Sequence, residues 1–447
     1  MAVVANGRLW AWAARFVAVF VLLASCSETD EDSEFTQRLR REDSLRAVLR
    51  EDSLKHAART KRAMDAVPLV HYRRTMIDDK AALDSLRRAY ARSNKAAYRA
   101  FTTVNRKDLQ FFRIGDTVII PSAIHEDLRV YSVFPHYYGG ADSLPKLVVV
   151  SNTFQSYACY EHGKLVRFAA CNTGEERKPT FPGRYAMNWR DKLRHSSIDS
   201  TWELPWTWNI HLYAGSAFHQ FEMPGRPVSH SCIRQFMDDA EWLFRWGQQG
   251  QIDTAKRKYI PMTGTPVIIV DVFDFSRKHG GAWWDLGSNK ETFVRLPAKP
   301  MEVEEALIPI SQIPPEVRWS LPNKERYAHA EDTLRKRGVI RATVQLTESV
   351  NFNKLRRDKA QAVLLAKKAA EKNAAARAQQ LPQDAGDADE ATGDALPITT
   401  KASAAKTAKT ATSVHSTPKA TPIAFGEIVR DSKAKAALKA KLKAKTP

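Results

Sequence analysis

The residues able to do chemistry are concentrated in Val228-Ser229-His230-Ser231-Cys232-Ile233-Arg234, which sets a thiol, an imidazole, two hydroxyls and a guanidinium side by side. A thiol attacks as its thiolate, and a cysteine with a pKa of about 8.5 is mostly protonated at neutral pH, so the group needs a base or a counter-ion. His219 lies upstream in Phe218-His219-Gln220-Phe221-Glu222, before the turn signal Pro224-Gly225-Arg226-Pro227, and His211 is a second candidate. The segment Gln235 to Trp246 has helical periodicity, acids in its first turn and Gly247 at its end. Cys232 is therefore expected just before a helix N-terminus, where the dipole would lower its pKa and free N–H groups would meet an oxyanion.

The elements that must position these groups are short strands. Leu147-Val148-Val149-Val150-Ser151, Gln155 to Tyr160 and Leu165 to Cys171 are β-branched and aromatic runs bounded by turn signals, and Gly264 to Val272 is expected as a closing buried strand. Cys159 and Cys171 flank the turn Glu161-His162-Gly163-Lys164. A turn centred between His162 and Gly163 sets Cys159 opposite Val166, so two buried thiols are expected and no disulfide. Trp202, Trp206, Trp208 and Tyr213 precede His219. Most of these are expected in the core, with one or two on a cleft wall. No Cys-x-x-Cys or His-x-x-x-His spacing occurs, so neither a metal nor another cofactor is expected.

Over about residues 146 to 272 the chain resembles the L,D-transpeptidases that remodel bacterial peptidoglycan. Their motif is a histidine, a loop, then Ser-His-Gly-Cys-hydrophobic-Arg, which Ser229-His230-Ser231-Cys232-Ile233-Arg234 matches at all but one position. Thr180-Phe181-Pro182-Gly183 is similar to the family's Thr-x-x-Gly turn. The resemblance implies Cys232 as nucleophile and His219 as general acid and base. It also implies the N–H groups of Ser231 and Cys232 as oxyanion hole, His230 lining the site, and Arg234 shaping it or meeting a substrate carboxylate. Ser231 stands where the family has glycine, Gln220 stands where the family's first histidine is followed by glycine, and the loop is a few residues shorter. The fold implied is mainly β, a small mixed sheet or sandwich with one helix after the nucleophile.

Six segments are expected. Residues 1–25 form a signal peptide, with Arg8 and Arg15 before the apolar run Phe16 to Leu23. Leu23-Ala24-Ser25-Cys26 resembles a bacterial lipoprotein box, implying lipidation of Cys26 and a membrane-anchored, envelope-located protein facing the periplasm. An acidic linker (26–34) leads to a helical stalk (35–121), whose end is similar to the closing half of a LysM module but lacks an opening strand. The catalytic domain (122–275) is followed by a folded appendage of unassigned role (276–350), then an Ala/Lys-rich helix and basic low-complexity tail (351–447).

The net charge is +19, and residues 401–447 carry eleven Lys+Arg against two Asp+Glu. Such a tail favours anionic surfaces. With an export signal at the other end, anionic envelope polymers or lipid are the expected partners, and no nucleic acid. The activity implied is peptidoglycan cross-linking through a cysteine thioester with release of D-Ala. The alternatives are an L,D-carboxypeptidase on the same stems and an inactive wall-binding lipoprotein.

Overall fold

The computed structural model describes residues 9–196, 198–291 and 293–379, with side chains from residue 34 to residue 376. The side chain of Cys26 and the tail from residue 380 onward, expected as a lipidation site and a basic extension, lie outside the described residues. In chain order the elements are α1 (Leu9–Asp65), β1 (Tyr72–Met76), α2 (Lys80–Ala89), α3 (Lys95–Asn105), β2 (Thr117–Pro121), β3 (Leu147–Ser151), β4 (Ser156–Glu161) and β5 (Lys164–Asn172). Then come β6 (Gly183–Ala186), β7 (Arg190–His195), β8 (Glu203–Asn209), β9 (Ala217–Gln220), β10 (Ile233–Gln235) and α4 (Met237–Trp246). Last are β11 (Ile252–Asp253), β12 (Lys258–Tyr259), β13 (Pro266–Ile269), α5 (Lys324–Ala328), α6 (Ala330–Lys336) and α7 (Phe352–Gln379).

The stretch expected as a helical stalk to residue 121 is continuously helical only to Asp65. Beyond it, β1-α2-α3-β2 forms a small unit in which β1 and β2 pair antiparallel, Tyr72 opposite Pro121 and Met76 opposite Thr117. The opening strand is the part the sequence hid, because Tyr72-Arg73-Arg74-Thr75-Met76 carries no apolar alternation and has no fully buried residue. Asp79 and Asn94 cap α2 and α3 by accepting the N–H of Ala82 and Ala97. Leu83 and Leu86 of α2 then bury against Phe101, Phe112 and Val118.

A nine-stranded mixed sheet ordered β6-β13-β3-β4-β5-β10-β9-β8-β7 dominates the molecule, so the fold is mainly β, as expected. All five residues of β3 are buried, since both faces of the sheet are covered. Val148 and Val150 enter one core with Trp208, Phe218, Ile233 and Leu243, while Leu147 and Val149 enter a second with Val104, Tyr131 and Trp283. β13 lies inside the sheet, parallel to β3 and antiparallel to β6. Residues 306–346 of the appendage add Leu307, Ile313, Leu334 and Ile340 to the first core, so this segment is integral to the unit built on the nine-stranded sheet.

The β4–β5 hairpin turns through His162 (φ 45°) and Gly163 (φ 73°), the two positive φ angles that match strand twist in a two-residue turn. One expectation is corrected here. Cys159 lies opposite Arg167 and not Val166, because a bulge between Cys159 and Tyr160 inserts a residue. Cys159 and Cys171 are both free and buried.

The βαα β unit is tied to the sheet through Asp239 on α4, which is 1% exposed. It accepts from Arg99 of α3 at 3.1 Å and from Arg167 Nε of β5 at 3.0 Å. Removing the carboxylate takes the only ion pair from Arg167 among the described residues and leaves Arg99 with Asp238 alone at 3.5 Å, so Asp239→Ala is expected to cost about 3 kcal/mol. The urea midpoint of the variant measures this, against a surface control that removes the same charge, Asp332→Ala.

Candidate active site

Two short strands bring the motif together. β10 pairs parallel with β9, Ile233 beside Phe218 and Arg234 beside His219, and antiparallel with β5 on its other side. Because side chains alternate along strands, Phe218 and Ile233 point into the core while Ala217, His219, Cys232 and Arg234 share the opposite face. That face opens into a cleft of about 340 Å³ lined by His219, Ser229, His230, Cys232 and Arg234. The cysteine thus does not adjoin a helix N-terminus, as the sequence suggested. The three-residue strand β10 intervenes, and α4 starts at Met237 with Asp238 and Asp239 facing Lys95, Arg99 and Arg167.

The loop before the cysteine is held residue by residue. Val228 and Ser229 donate their N–H groups to Thr173 O at 2.9 and 3.0 Å, and the Ser229 hydroxyl donates to Cys232 O. Thr173 is fixed in turn by buried Gln155, whose amide accepts the Thr173 N–H at 2.8 Å and donates to its hydroxyl at 2.7 Å. The Thr180 hydroxyl accepts the Gly174 N–H at 2.8 Å and donates to Ser231 O at 3.1 Å. A Cβ on Gly174 would lie 2.3 Å from Lys178 O, so this close approach requires glycine.

Ser231 adopts φ 75°, the left-handed backbone that a glycine would take freely. This conformation costs a serine about 1–2 kcal/mol. Its hydroxyl meets that of Ser216 at 2.8 Å, an interaction glycine cannot make. These loop hydrogen bonds use the N–H groups of Val228 and Ser229 but not those of Ser231 and Cys232.

His219 is buried, and its Nδ1 lies 2.9 Å from Gln220 O. A carbonyl only accepts, so Nδ1 carries the hydrogen and Nε2 keeps its lone pair. Because a backbone carbonyl does this work, the residue after the histidine need not be glycine, and Gln220 serves. Burial holds the His219 imidazole down to about 4, with Arg234 adding to the shift. Burial also pushes the Cys232 thiol up, against the opposing pull of the Ala217 N–H and the Arg234 charge. The depressed thiol pKa expected from the sequence is therefore absent in the resting site, where thiol and imidazole are both neutral.

His230 stacks on Trp202 with ring centroids 5.4 Å apart, and burial holds it down to about 4 as well. Arg234 lies over Phe221 at 4.6 Å and donates weakly to Glu222 O and Val228 O, a shaping role for the loop. His211 is not among the residues that line the Cys232 cleft. Its Nδ1 accepts the Ala214 N–H at 3.0 Å, and its ring packs with Tyr185, Tyr213 and Tyr327 in a different pocket.

Sequence reasoning missed Ser216, and it missed Pro314, Glu316 and Val317 from the appendage and Asn351 just after it, which line the cleft. No local signal marks them, since they reach the site only through long-range packing. Of the aromatic tract, Trp208 is fully buried while Trp202 and Tyr213 line the cleft.

Residues 145–269 match the YkuD family, the L,D-transpeptidase catalytic domain. This L,D-transpeptidase-like domain contains the sheet strands from β3 to β13 and the whole His219–Arg234 constellation. Comparison with curated proteins finds no match. Among solved structures, an L,D-transpeptidase from Stackebrandtia nassauensis is 20% identical with a TM-score of 0.23, over 28% of this chain and 56% of that one. The match thus spans about half of the Stackebrandtia chain. An L,D-transpeptidase from Xylanimonas cellulosilytica is 18% identical (TM-score 0.26), over 44% of this chain and 97% of that one. One from Mycobacterium tuberculosis H37Rv is 17% identical (TM-score 0.22), over 46% and 93%.

Ser231 in the L,D-transpeptidase-like domain gives a differential test. Ser231→Ala loses the Ser216 contact and keeps the left-handed strain, whereas Ser231→Gly loses the contact and relieves the strain. The glycine variant is expected to be the more stable of the two by about 1 kcal/mol in urea unfolding. Stability also depends on the buried imidazoles of His211, His219 and His230, each held down to about 4. Below the unfolded value of about 6.5 the unfolded chain binds more protons, so stability falls from pH 6.5 towards pH 4. Thermal midpoints across that range measure the loss.

Proposed function

We propose that this protein is a peptidoglycan L,D-transpeptidase that forms cross-links through a Cys232 thioester and is tethered to a membrane by a lipid on Cys26. The observation that carries the chemistry is the parallel register of β9 and β10, which sets a bare imidazole Nε2 and a thiol on one face of one cleft. Cys232 Sγ attacks the carbonyl of the third, diamino acid residue of a donor tetrapeptide stem, and its proton passes to His219 Nε2. The tetrahedral oxyanion is held by the N–H groups of Ser231 and Cys232. When the C–N bond to the terminal D-Ala breaks, the departing nitrogen takes the proton back from His219. An amine of a second stem then attacks the thioester and displaces the sulfur.

His230 lines the site, and Arg234 shapes it. A neutral thiol–imidazole pair suits this order of events, because proton transfer then accompanies attack on the bound carbonyl and no exposed thiolate waits for oxidants. The location follows from the export segment and lipoprotein box: the cell envelope, facing the periplasm, with the basic tail attracted to anionic envelope polymers. No helix among the described residues is long and apolar enough to cross a membrane, so attachment in this reading falls to the lipid.

Incubating the protein with disaccharide tetrapeptide and recording intact masses tests the reading. Expected are a Cys232 acyl adduct with loss of D-Ala and cross-linked dimers. Tripeptide as the sole product would make it an L,D-carboxypeptidase, and no adduct on folded protein would leave a wall-binding lipoprotein. His219→Ala is expected to slow adduct formation by about 10²–10⁴-fold. With the imidazole held down to about 4, the base stays unprotonated at mildly acidic pH. Acylation is therefore expected to persist at pH 5.5 and to fail only as pH drops towards 4, which a kcat/KM profile would record.

A further inference from the structure

The family match ends at residue 269, but the cleft does not. Part of its wall is the 3-10 turn Pro315–Ser320 with Pro314 before it, and Asn351 follows later in the chain. This wall is fastened to both lips of the catalytic domain. On one side Arg341 pairs with Glu176, Thr347 donates its N–H to Arg177 O at 2.9 Å, and Arg177 Nε donates to Gln345 O at 3.1 Å. On the other, beside the β7–β8 hairpin, Asn353 donates its N–H to Ile198 O at 3.0 Å and Arg356 meets Asp199 at 2.6 Å. Ser349 N–H to Ser311 O (2.8 Å) and Gln312 Nε2 to Thr347 O (2.9 Å) join the two runs. A segment clamped at this many points is a fixed wall of the site.

The wall changes the charge of the cleft. The catalytic domain lines it with two guanidiniums, Arg194 stacked over Trp189 at 4.5 Å and Arg234 over Phe221. Glu316 is the one carboxylate among the lining residues, and it comes from the appendage. Its side chain is exposed and has neither a hydrogen bond nor an ion pair among the described residues. The cation that feels its charge, Lys354, is itself held by Asp358 at 2.7 Å. An unpaired carboxylate at the mouth of a cleft that is otherwise cationic selects for a positive group at that end.

We propose that Glu316 is the acceptor-side specificity residue, gathering the ammonium form of the amine that resolves the acyl-enzyme. The inference rests on the thioester reading above. Two nucleophiles compete for a thioester, water and an amine, and only the amine is charged while free in solution. A fixed carboxylate raises the local concentration of the ammonium and leaves water unaffected. The gathered ammonium gives one proton to solvent, and its nitrogen then bonds to the thioester carbon. The C–S bond breaks, and the sulfur is reprotonated through His219 by the second proton of the amine. Glu316 thereby tilts the outcome from hydrolysis to cross-linking, with donor acylation on the cationic side untouched.

The test uses the full chain in detergent micelles with disaccharide tetrapeptide as donor and Nα-acetyl-lysinamide as acceptor. It reads the ratio of amine adduct to hydrolysed tripeptide alongside the rate of Cys232 acylation. Glu316→Gln is expected to lower the ratio about fivefold, the loss of one partly exposed charge pair, while acylation keeps its rate. Glu316→Asp is expected to retain most of the ratio. Raising the salt is expected to depress the ratio in the unmodified chain and to leave the glutamine variant flat. An unchanged ratio in Glu316→Gln with normal acylation overturns the role of Glu316 and leaves the transpeptidase reading standing. A ratio that falls only in step with acylation overturns it too, as a general disturbance of the cleft. No acyl-enzyme in the unmodified chain overturns the transpeptidase reading, and this inference with it.

Discussion

The parallel pairing of β9 with β10 is the constraint on which the site depends. Parallel neighbours need a connection that leaves one strand end and returns to the other, and such crossovers are usually helical. Here residues 221–232 make the return without a helix, so the connection has no internal ladder to hold it. Its geometry is set from outside by Thr173, Gln155 and Thr180, which supply the hydrogen bonds a helix would have made for itself. Cys232 sits at the end of this borrowed scaffold, where β10 begins and the sheet takes over. The short strand and the pinned loop together replace the helix N-terminus as the means of fixing Cys232.

Much of this was legible in the chain because it is local. Apolar runs with β-branched residues mark β3 to β5, His162-Gly163 marks their turn, and the cluster from His219 to Arg234 marks the chemistry. What escaped is what depends on distant partners. β10 has three residues, too few for a periodic signal, so the helical pattern read from Gln235 onward hides the strand between the cysteine and α4. β1 belongs to a two-stranded sheet with charged residues outward, so its pattern resembles the neighbouring helices. The bulge at Cys159 and the cleft wall from residues 314–317 leave no mark in local spacing.

Electrostatically the protein treats its buried carboxylate and its cleft differently. The fully desolvated carboxylate of Asp239 is answered by Arg99 and Arg167 on neighbouring elements, where it joins the β1–β2 unit to the sheet. The imidazoles and the thiol of the cleft stay neutral, and the two guanidiniums that line it, Arg194 and Arg234, lie over aromatic rings. In the proposed reaction, charge at the thiol and the imidazole would therefore arise only on binding and turnover.

The contact between Ser231 and Ser216 bears on the order in which substitutions can accumulate. With serine at 231, the left-handed backbone is offset in part by the partner hydroxyl, so losing Ser216 first exposes the full strain. With glycine at 231 the strain is gone and position 216 is free to drift. The two sites are therefore expected to be coupled, a change at 216 costing less once 231 is glycine than while it is serine.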